Sequence, residues 1–261
     1  MMGRSPHPTD AQLAARMIRD ARCPVALTGA GISTASGIPD FRSAGSGLWA
    51  SPDAMAVASL TAFRHDPERF FEAIRPLAAR LLEARPNPAH HALAALEQAG
   101  RLRAVVTQNV DDLHRQAGSQ EVVELHGSFR HATCTGCFTS RRTDEILEQW
   151  LETSGPPRCP GCGCILKPDV ILFEEQLPHA ALERALGWVH SCDLCLVVGS
   201  SLEVNPAAGL PYRALCSGAR LIIVNRQPTY LDRRASLVFR EEAADVLALL
   251  VDEVLCDRAP A

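Results

Sequence analysis

The sequence predicts an α/β fold: a parallel sheet covered by helices on both faces, with a small cysteine-rich module inserted. Three observations predict it. Short apolar runs at Pro24–Thr28, Arg103–Thr107, Glu121–Leu125, Leu194–Val198 and Leu221–Val224 have the composition of strands buried on both sides. Helical patterns alternate with the later runs, as crossover connections require. Between residues 128 and 168 that rhythm breaks, and five of the 10 cysteines fall there.

Taken in order, Thr9-Asp10-Ala11-Gln12 has the pattern of a capping box opening a helix to about Ala21, with Leu13, Met17 and Ile18 on one face. The first strand stops at Gly29-Ala30-Gly31, where the chain must turn sharply. Residues 35–65, rich in Gly, Ser, Pro and Ala, lack periodicity and read as a mobile functional loop. Pro67–Arg85 and Pro88–Ala99 are helical in pattern, separated at Pro86-Asn87-Pro88. A short helix is expected around Asp144–Leu151, a further strand at Val170–Phe173, and helices at about 178–190, 206–217 and 242–255.

Composition narrows the function classes. With 261 residues, 47% hydrophobic and 21% charged, the chain can bury a sizeable core. A net charge of −4 offers no global attraction to nucleic acid, so no direct nucleic-acid binding is expected. No apolar run approaches the roughly 18–20 residues of a membrane helix. Met1–Asp10 lacks the apolar stretch of a secretory signal. The expectation is a cytoplasmic protein without a membrane partner. Lys167 is the only lysine, which codon bias explains.

In that setting the cysteines point to metal, catalysis or burial rather than disulfides. Cys134-x-x-Cys137 and Cys159-x-x-Cys162 each let two thiolates reach one ion, and two such knuckles complete a tetrahedron around one structural Zn²⁺. Four thiolates leave no open position for catalysis. Cys162-Gly163-Cys164 offers an alternative fourth ligand. Cys23, Cys192, Cys195, Cys216 and Cys256 read as small apolar residues in or beside α/β elements.

Gly29-Ala30-Gly31 after a strand suits a dinucleotide pyrophosphate. The full G-x-G-x-x-G pattern is broken by Thr34, and no strand ends in an acidic residue about twenty positions later. An ordinary hydride-transferring dehydrogenase is therefore disfavoured. Around this turn stand Gly37-Ile-Pro-Asp-Phe-Arg42, Thr107-Gln-Asn-Val-Asp111 with His114, and Glu124-Leu-His-Gly127. After the cysteines come Lys167-Pro-Asp-Val-Ile-Leu-Phe173, Gly199-Ser-Ser-Leu202 and Ile223-Val-Asn225. In this order the set resembles the sirtuin family, the NAD-dependent protein lysine deacylases, from about Ala14 to Leu250.

The resemblance implies one catalytic domain. Its Rossmann-like large part would take about 8–34, 100–127 and 169–255, with a flexible cofactor loop at about 35–65. A helical part would take about 66–99 and a zinc module about 128–168. Short flanks leave no room for a further targeting domain, and a monomer is expected.

Cofactor contacts are implied for Gly29, Ala30, Gly31, Ser33 and Thr34 at the first turn, and for Asp40, Phe41 and Arg42 in the loop. Gln108, Asn109, Val110 and Asp111 would hold the ribose and carboxamide. Gly199, Ser200, Ser201, Asn225, Arg226 and Asp245 would serve the pyrophosphate and adenosine end.

By the same resemblance His126 is the general base, assisted by Asn109 and Asp111. The acyl-lysine oxygen attacks C1′ of the nicotinamide ribose, and NAD is consumed as a co-substrate. Nicotinamide, free lysine and 2′-O-acyl-ADP-ribose are the products. Ile171 and Phe173 would wall the acyl-lysine tunnel of an acetylated protein or peptide. Glu174 and Glu175 stand where relatives usually begin with Gly. Desuccinylase-type relatives carry Tyr and Arg on one helix. Phe71 and Ile74 occupy those places here and favour acetyl over succinyl groups. Mono-ADP-ribosyl transfer and long-chain deacylation are the alternatives within this chemistry. A non-catalytic zinc-containing binding module is the alternative outside it.

Overall fold

A computed structural model describes residues 8–40, 57–153 and 155–256. Its first half contains α1 (Pro8–Asp20), β1 (Pro24–Thr28), α2 (Leu60–His65), α3 (Pro67–Glu83), α4 (Pro88–Gln98), β2 (Ala104–Thr107), α5 (Leu113–Gln116) and β3 (Val122–Glu124). Then come β4 (Gly127–Cys134), β5 (Ser140–Arg142), α6 (Asp144–Glu152) and β6 (Leu166–Val170). The chain returns through α7 (His179–Ser191), β7 (Leu194–Val198), α8 (Leu210–Cys216), β8 (Arg220–Val224), β9 (Leu237–Phe239) and α9 (Ala243–Leu255).

Six strands form one parallel sheet in the order β3-β2-β1-β7-β8-β9. Counted along the chain this is the 3-2-1-4-5-6 order of a Rossmann-like sheet, and the order reverses between β1 and β7. Every residue of β1, β2 and β7 is buried, because helices cover both faces. Alternate side chains divide the core. Ala26, Val105 and Leu196 pack with Ile18, Leu93 and Leu247 of α1, α4 and α9. Val25, Val106 and Val197 pack with Val189 and Ala214 of α7 and α8.

A second, antiparallel sheet of β5, β4 and β6 carries the cysteines. Against it lies an aromatic cluster in which Phe71 meets Phe70 and Trp150 edge-on, with centroids 5.2 and 5.3 Å apart. No helix among the described residues is long and apolar enough to cross a membrane.

Several elements differ from the sequence expectation. The strand expected at Val170–Phe173 ends at Val170, and Phe173 keeps only an isolated bridge to Ser59. The pairing lies earlier because β6 is half exposed, with polar Lys167 and Asp169 among its residues. That alternation hides a strand from a search for continuous apolar runs. The stretch 35–65 is not wholly without structure. α2 closes it, capped by Ser59 Oγ, which accepts from the Ala62 N–H at 3.1 Å. Thr9 lies inside α1, which begins at Pro8, rather than ahead of it as a cap.

Candidate active site and metal centre

The reversal of strand order opens a crevice beyond the carboxyl ends of β1 and β7. The two loops leaving these strands touch. Gly31 N–H donates to the Gly199 carbonyl at 2.8 Å. A Cβ on Gly199, whose φ is +63°, would come within 2.2 Å of the Ile32 nitrogen, and one on Gly31 within 2.8 Å of Gly199 Cα. Chain packing thus demands these glycines on its own account, beyond any need for a ligand to approach. Around them lies a cavity of about 870 Å³. Gly29, Ala30, Gly31 and Asp40 line one part; Gly199, Ser200, Ser201, Asn225 and Arg226 line another. Gln108, Val110, His126, Ile171 and Phe173 complete the expected residues on its wall.

Ser33, Thr34, Asn109 and Asp111 are not among the lining residues. The Ser33 hydroxyl donates to Asp111 Oδ2 at 2.6 Å and accepts from Asn109 Nδ2 at 3.1 Å. Asn109 Nδ2 also donates to the Gly29 carbonyl at 3.2 Å, while the Thr34 hydroxyl donates to Gly31 O at 3.0 Å. Burial pushes the Asp111 carboxyl up, although bonds from Ser33 and the Leu113 N–H favour its ionised form. Asn109 Oδ1 is buried and finds no partner among the described residues.

Two further histidines support this layer. His90 Nδ1 accepts from the Asn87 N–H at 3.3 Å, so its Nε2–H faces Ser33 Oγ at 3.4 Å. Burial lowers His90 to about 4. His114 Nε2 bonds Thr28 Oγ1 at 2.8 Å, and burial holds it well below the ordinary histidine range.

His126 follows β3, and its Nδ1–H donates to the Gln108 carbonyl at 2.8 Å. That bond fixes the tautomer and leaves Nε2 as the proton acceptor. Burial lowers the imidazole below the ordinary 6.5, partly offset by the Gln108 bond. The backbone is pinned on both sides. The His126 carbonyl accepts from Ile171 N–H at 2.8 Å, and Gly127, at φ +73°, has no room for a Cβ beside Asp169 O.

On the substrate side, Phe173 N–H donates to Ala58 O at 3.2 Å, and its carbonyl accepts from Leu60 N–H at 3.0 Å. Glu174 has φ +76°, a left-handed conformation that glycine adopts without strain. Here its carboxylate accepts the Thr61 N–H at 2.9 Å. Glu175 accepts from Leu172 N–H at 2.8 Å and pairs with Lys167 at 2.9 Å.

The helix reading needs one correction. Ile74 lines the cavity, but Phe71 does not and instead packs edge-on against Phe63, Phe70 and Trp150. Phe70 and Leu77 share the wall with Ile74 instead. Their spacing is legible as one helical face, a signal the motif comparison passed over. Phe129, Glu203, Glu241 and Glu242 also line the cavity and were not expected. At the far end Arg226 pairs with Glu242 at 2.7 Å and lies 3.8 Å from Asp40. Asp245 is exposed in the first turn of α9 and is not among the lining residues. Phe41 and Arg42 lie outside the described residues.

The four cysteine sulfurs of Cys134, Cys137, Cys159 and Cys162 lie within 4.8 Å of one another, all as free thiols. Cross-knuckle pairs stand 3.3 Å (Cys134–Cys162) and 3.7 Å (Cys137–Cys159) apart. A tetrahedron with metal–sulfur bonds of ~2.3 Å has edges of about 3.8 Å, so the donor set fits one ion. Cys164 stays outside the group and packs against Gly136, where a Cβ would meet its sulfur at 2.5 Å.

Residues 29–206 match the Sir2 family model. NAD-dependent protein deacetylase 1 of Pyrobaculum aerophilum is 43% identical over 240 residues, which cover 92% of this chain and 93% of that one. NAD-dependent protein deacetylase of Caldivirga maquilingensis is 45% identical over 241 residues, 92% of each. A Sir2 structure bound to acetylated peptide has a TM-score of 0.83 at 36% identity and covers 93% of this chain and 97% of its own. A Sir2 His-to-Ala variant with deacetylated p53 peptide and 3′-O-acetyl ADP ribose has a TM-score of 0.88 at 36% identity, covering 94% and 98%. Likeness of this extent, in sequence and in fold alike, makes the chain a member of the Sir2 family.

Proposed function

We propose that the protein removes acetyl groups from lysine side chains of proteins while consuming NAD, releasing nicotinamide and O-acetyl-ADP-ribose. One observation carries this reading: a single cavity joins the touching glycine turns at the switch point, His126, and an apolar wall. The residues fit NAD. Gly29, Gly31, Gly199 and Ser200 line the cavity and offer close backbone approach for a pyrophosphate; Asn109, between the lining residues Gln108 and Val110, keeps an amide oxygen with no partner among the described residues, an acceptor that suits a carboxamide. When bound, NAD supplies a ribose carbon whose leaving group is nicotinamide.

The chain's own residues supply position and proton transfer. His126 Nε2 takes a proton from a ribose hydroxyl, since its Nδ1–H is committed to Gln108. Ser33, Asn109 and Asp111 hold one another in place before ligand arrives, which removes reorganisation from the reacting end. Ile171 and Phe173 steer the acyl-lysine, while Phe70, Ile74 and Leu77 exclude water around its acyl group. That apolar wall also favours a second reading, in which longer fatty acyl groups are removed too.

The division of labour we infer assigns NAD to the large part at about 8–34, 100–127 and 169–255. It assigns zinc to the module at about 128–168, with Cys134, Cys137, Cys159 and Cys162 as ligands. We read the metal as structural, because four thiolates leave no open position. A cytoplasmic monomer acting on acetylated proteins, without membrane or nucleic-acid partners, completes the proposal.

Mass spectrometry of an acetyl-lysine peptide incubated with the protein tests it. Loss of the acetyl group only when NAD is present supports deacetylation. An unchanged peptide, or ADP-ribose attached to protein in its place, contradicts it.

A further inference from the structure

Arg130 lies on β4, four residues beyond His126, and turns back toward the active-site loops. Its guanidinium grips two carboxylates. One nitrogen pairs with Asp112 Oδ1, and the other with Glu124 Oε2 at 2.5 Å. Asp112 directly follows Asp111, and Glu124 stands two residues before His126. One side chain of the cysteine-bearing sheet therefore ties together the loop after β2 and the strand end that delivers the base. The backbone repeats the connection, since Phe129 N–H donates to Val110 O at 2.9 Å.

Two features show that the grip is needed. Asp112 has φ +63°, a left-handed conformation that a non-glycine residue keeps only when its surroundings hold it. Glu124 is largely buried, with 12% of its side chain exposed, and Arg115 Nε is 3.8 Å away. Burial raises the carboxyls of both Asp111 and Glu124, and the negative charge of Asp112 adds to it to a lesser degree. A forked guanidinium can bind Asp112 and Glu124 at once, which an ammonium's point charge cannot do in the same geometry.

We propose that Arg130 is a positioning residue for the deacylation reaction. It sets the loop carrying Asn109 and Asp111 against His126, and so links the cysteine-bearing sheet to the catalytic wall. It acts through Asp112 and Glu124 and touches no substrate. The inference rests on the deacetylase reading above.

The test compares wild type with Arg130→Met and Arg130→Lys, each with metal content and melting temperature recorded. Kinetics use an acetyl-lysine peptide and NAD, and NMR follows titration of the His126 imidazole in the free enzyme. For Arg130→Met we expect kcat to fall about tenfold or more, as misplacement of reacting groups does, with a much smaller change in KM for the peptide. The His126 pKa should fall, because the Gln108 bond that raises it spans the loop and the strand end that Arg130 ties together. Arg130→Lys should fall between the two. A folded Arg130→Met with wild-type kcat and wild-type His126 titration would overturn the proposal. So would a variant that only melts earlier, with both readouts unchanged in its folded fraction. If Arg130→Met does not fold, Arg130→Lys decides by the same two readouts. A wild type without NAD-dependent deacetylation would defeat the functional reading instead, while the His126 titration would still test the grip of Arg130.

Discussion

His126, which we propose as the general base, is prepared for that role by one hydrogen bond and by burial. Because Nδ1–H is committed to the Gln108 carbonyl and burial lowers the pKa, the neutral base predominates at pH 7. Activity should therefore be flat through neutral pH and fall on the acid side, with an inflection of kcat/KM below 6.5. His126→Ala should lose most deacetylation while keeping fold and metal, measurable by product assay, circular dichroism and metal content. Its neighbour Gly127 makes a different demand. A methyl at φ +73° would collide with the Asp169 carbonyl, so Gly127→Ala should destabilise by several kcal/mol and reduce soluble yield. The sequence marks His126 through the motif around it, but no residue pattern shows its tautomer. That is set by the Gln108 carbonyl, which comes from the loop after β2.

At the scale of elements, α3 separates core from specificity. Phe71 is fully packed among Phe63, Phe70 and Trp150, so Phe71→Ala should cost about 3–5 kcal/mol in denaturant unfolding. Ile74 lies on the cavity wall, where we propose that it meets the acyl group. Among the described residues, the wall it shares with Phe70 and Leu77 offers no cation to a carboxylate-ended acyl chain. kcat/KM for an acetyl-lysine peptide should therefore exceed that for its succinyl counterpart, and the reverse order would refute this assignment.

Elements were legible where burial is simple. β1 and β7 match their apolar runs residue for residue, since a strand covered on both faces must be apolar throughout. β4 and β6 were missed or shifted because each has an exposed side, and β5 because it is largely polar. Cys-x-x-Cys spacing announced the four-cysteine cluster. The exclusion of Cys164 depends on the path of the knuckle and needed coordinates. Ser33 and Asp111, placed near the cofactor by motif, turn out to bond each other. Seventy-eight positions apart, they meet only through the sheet.

The whole molecule places its buried histidines in the path of acid. His90 falls to about 4 and His114 lies well below 6.5, each through burial. The unfolded chain takes up these protons near 6.5, whereas the folded chain resists them. Stability is therefore fully present above pH 6.5 and declines as pH falls toward 4, with His90 alone accounting for ~3 kcal/mol across that window. Denaturant titrations across this range should show the decline, and His90→Gln should flatten part of it. An unchanged slope would remove His90 from the account.

The same sheet order that buries these groups brings β1 and β7 to one crevice, where we propose that deacetylation takes place. Its most direct test is a mass balance on one acetyl-lysine peptide with limiting NAD. Deacetylated peptide, nicotinamide and O-acetyl-ADP-ribose should form in equal amounts. Nicotinamide released without matching O-acetyl-ADP-ribose, or acetate freed without NAD consumption, would contradict it.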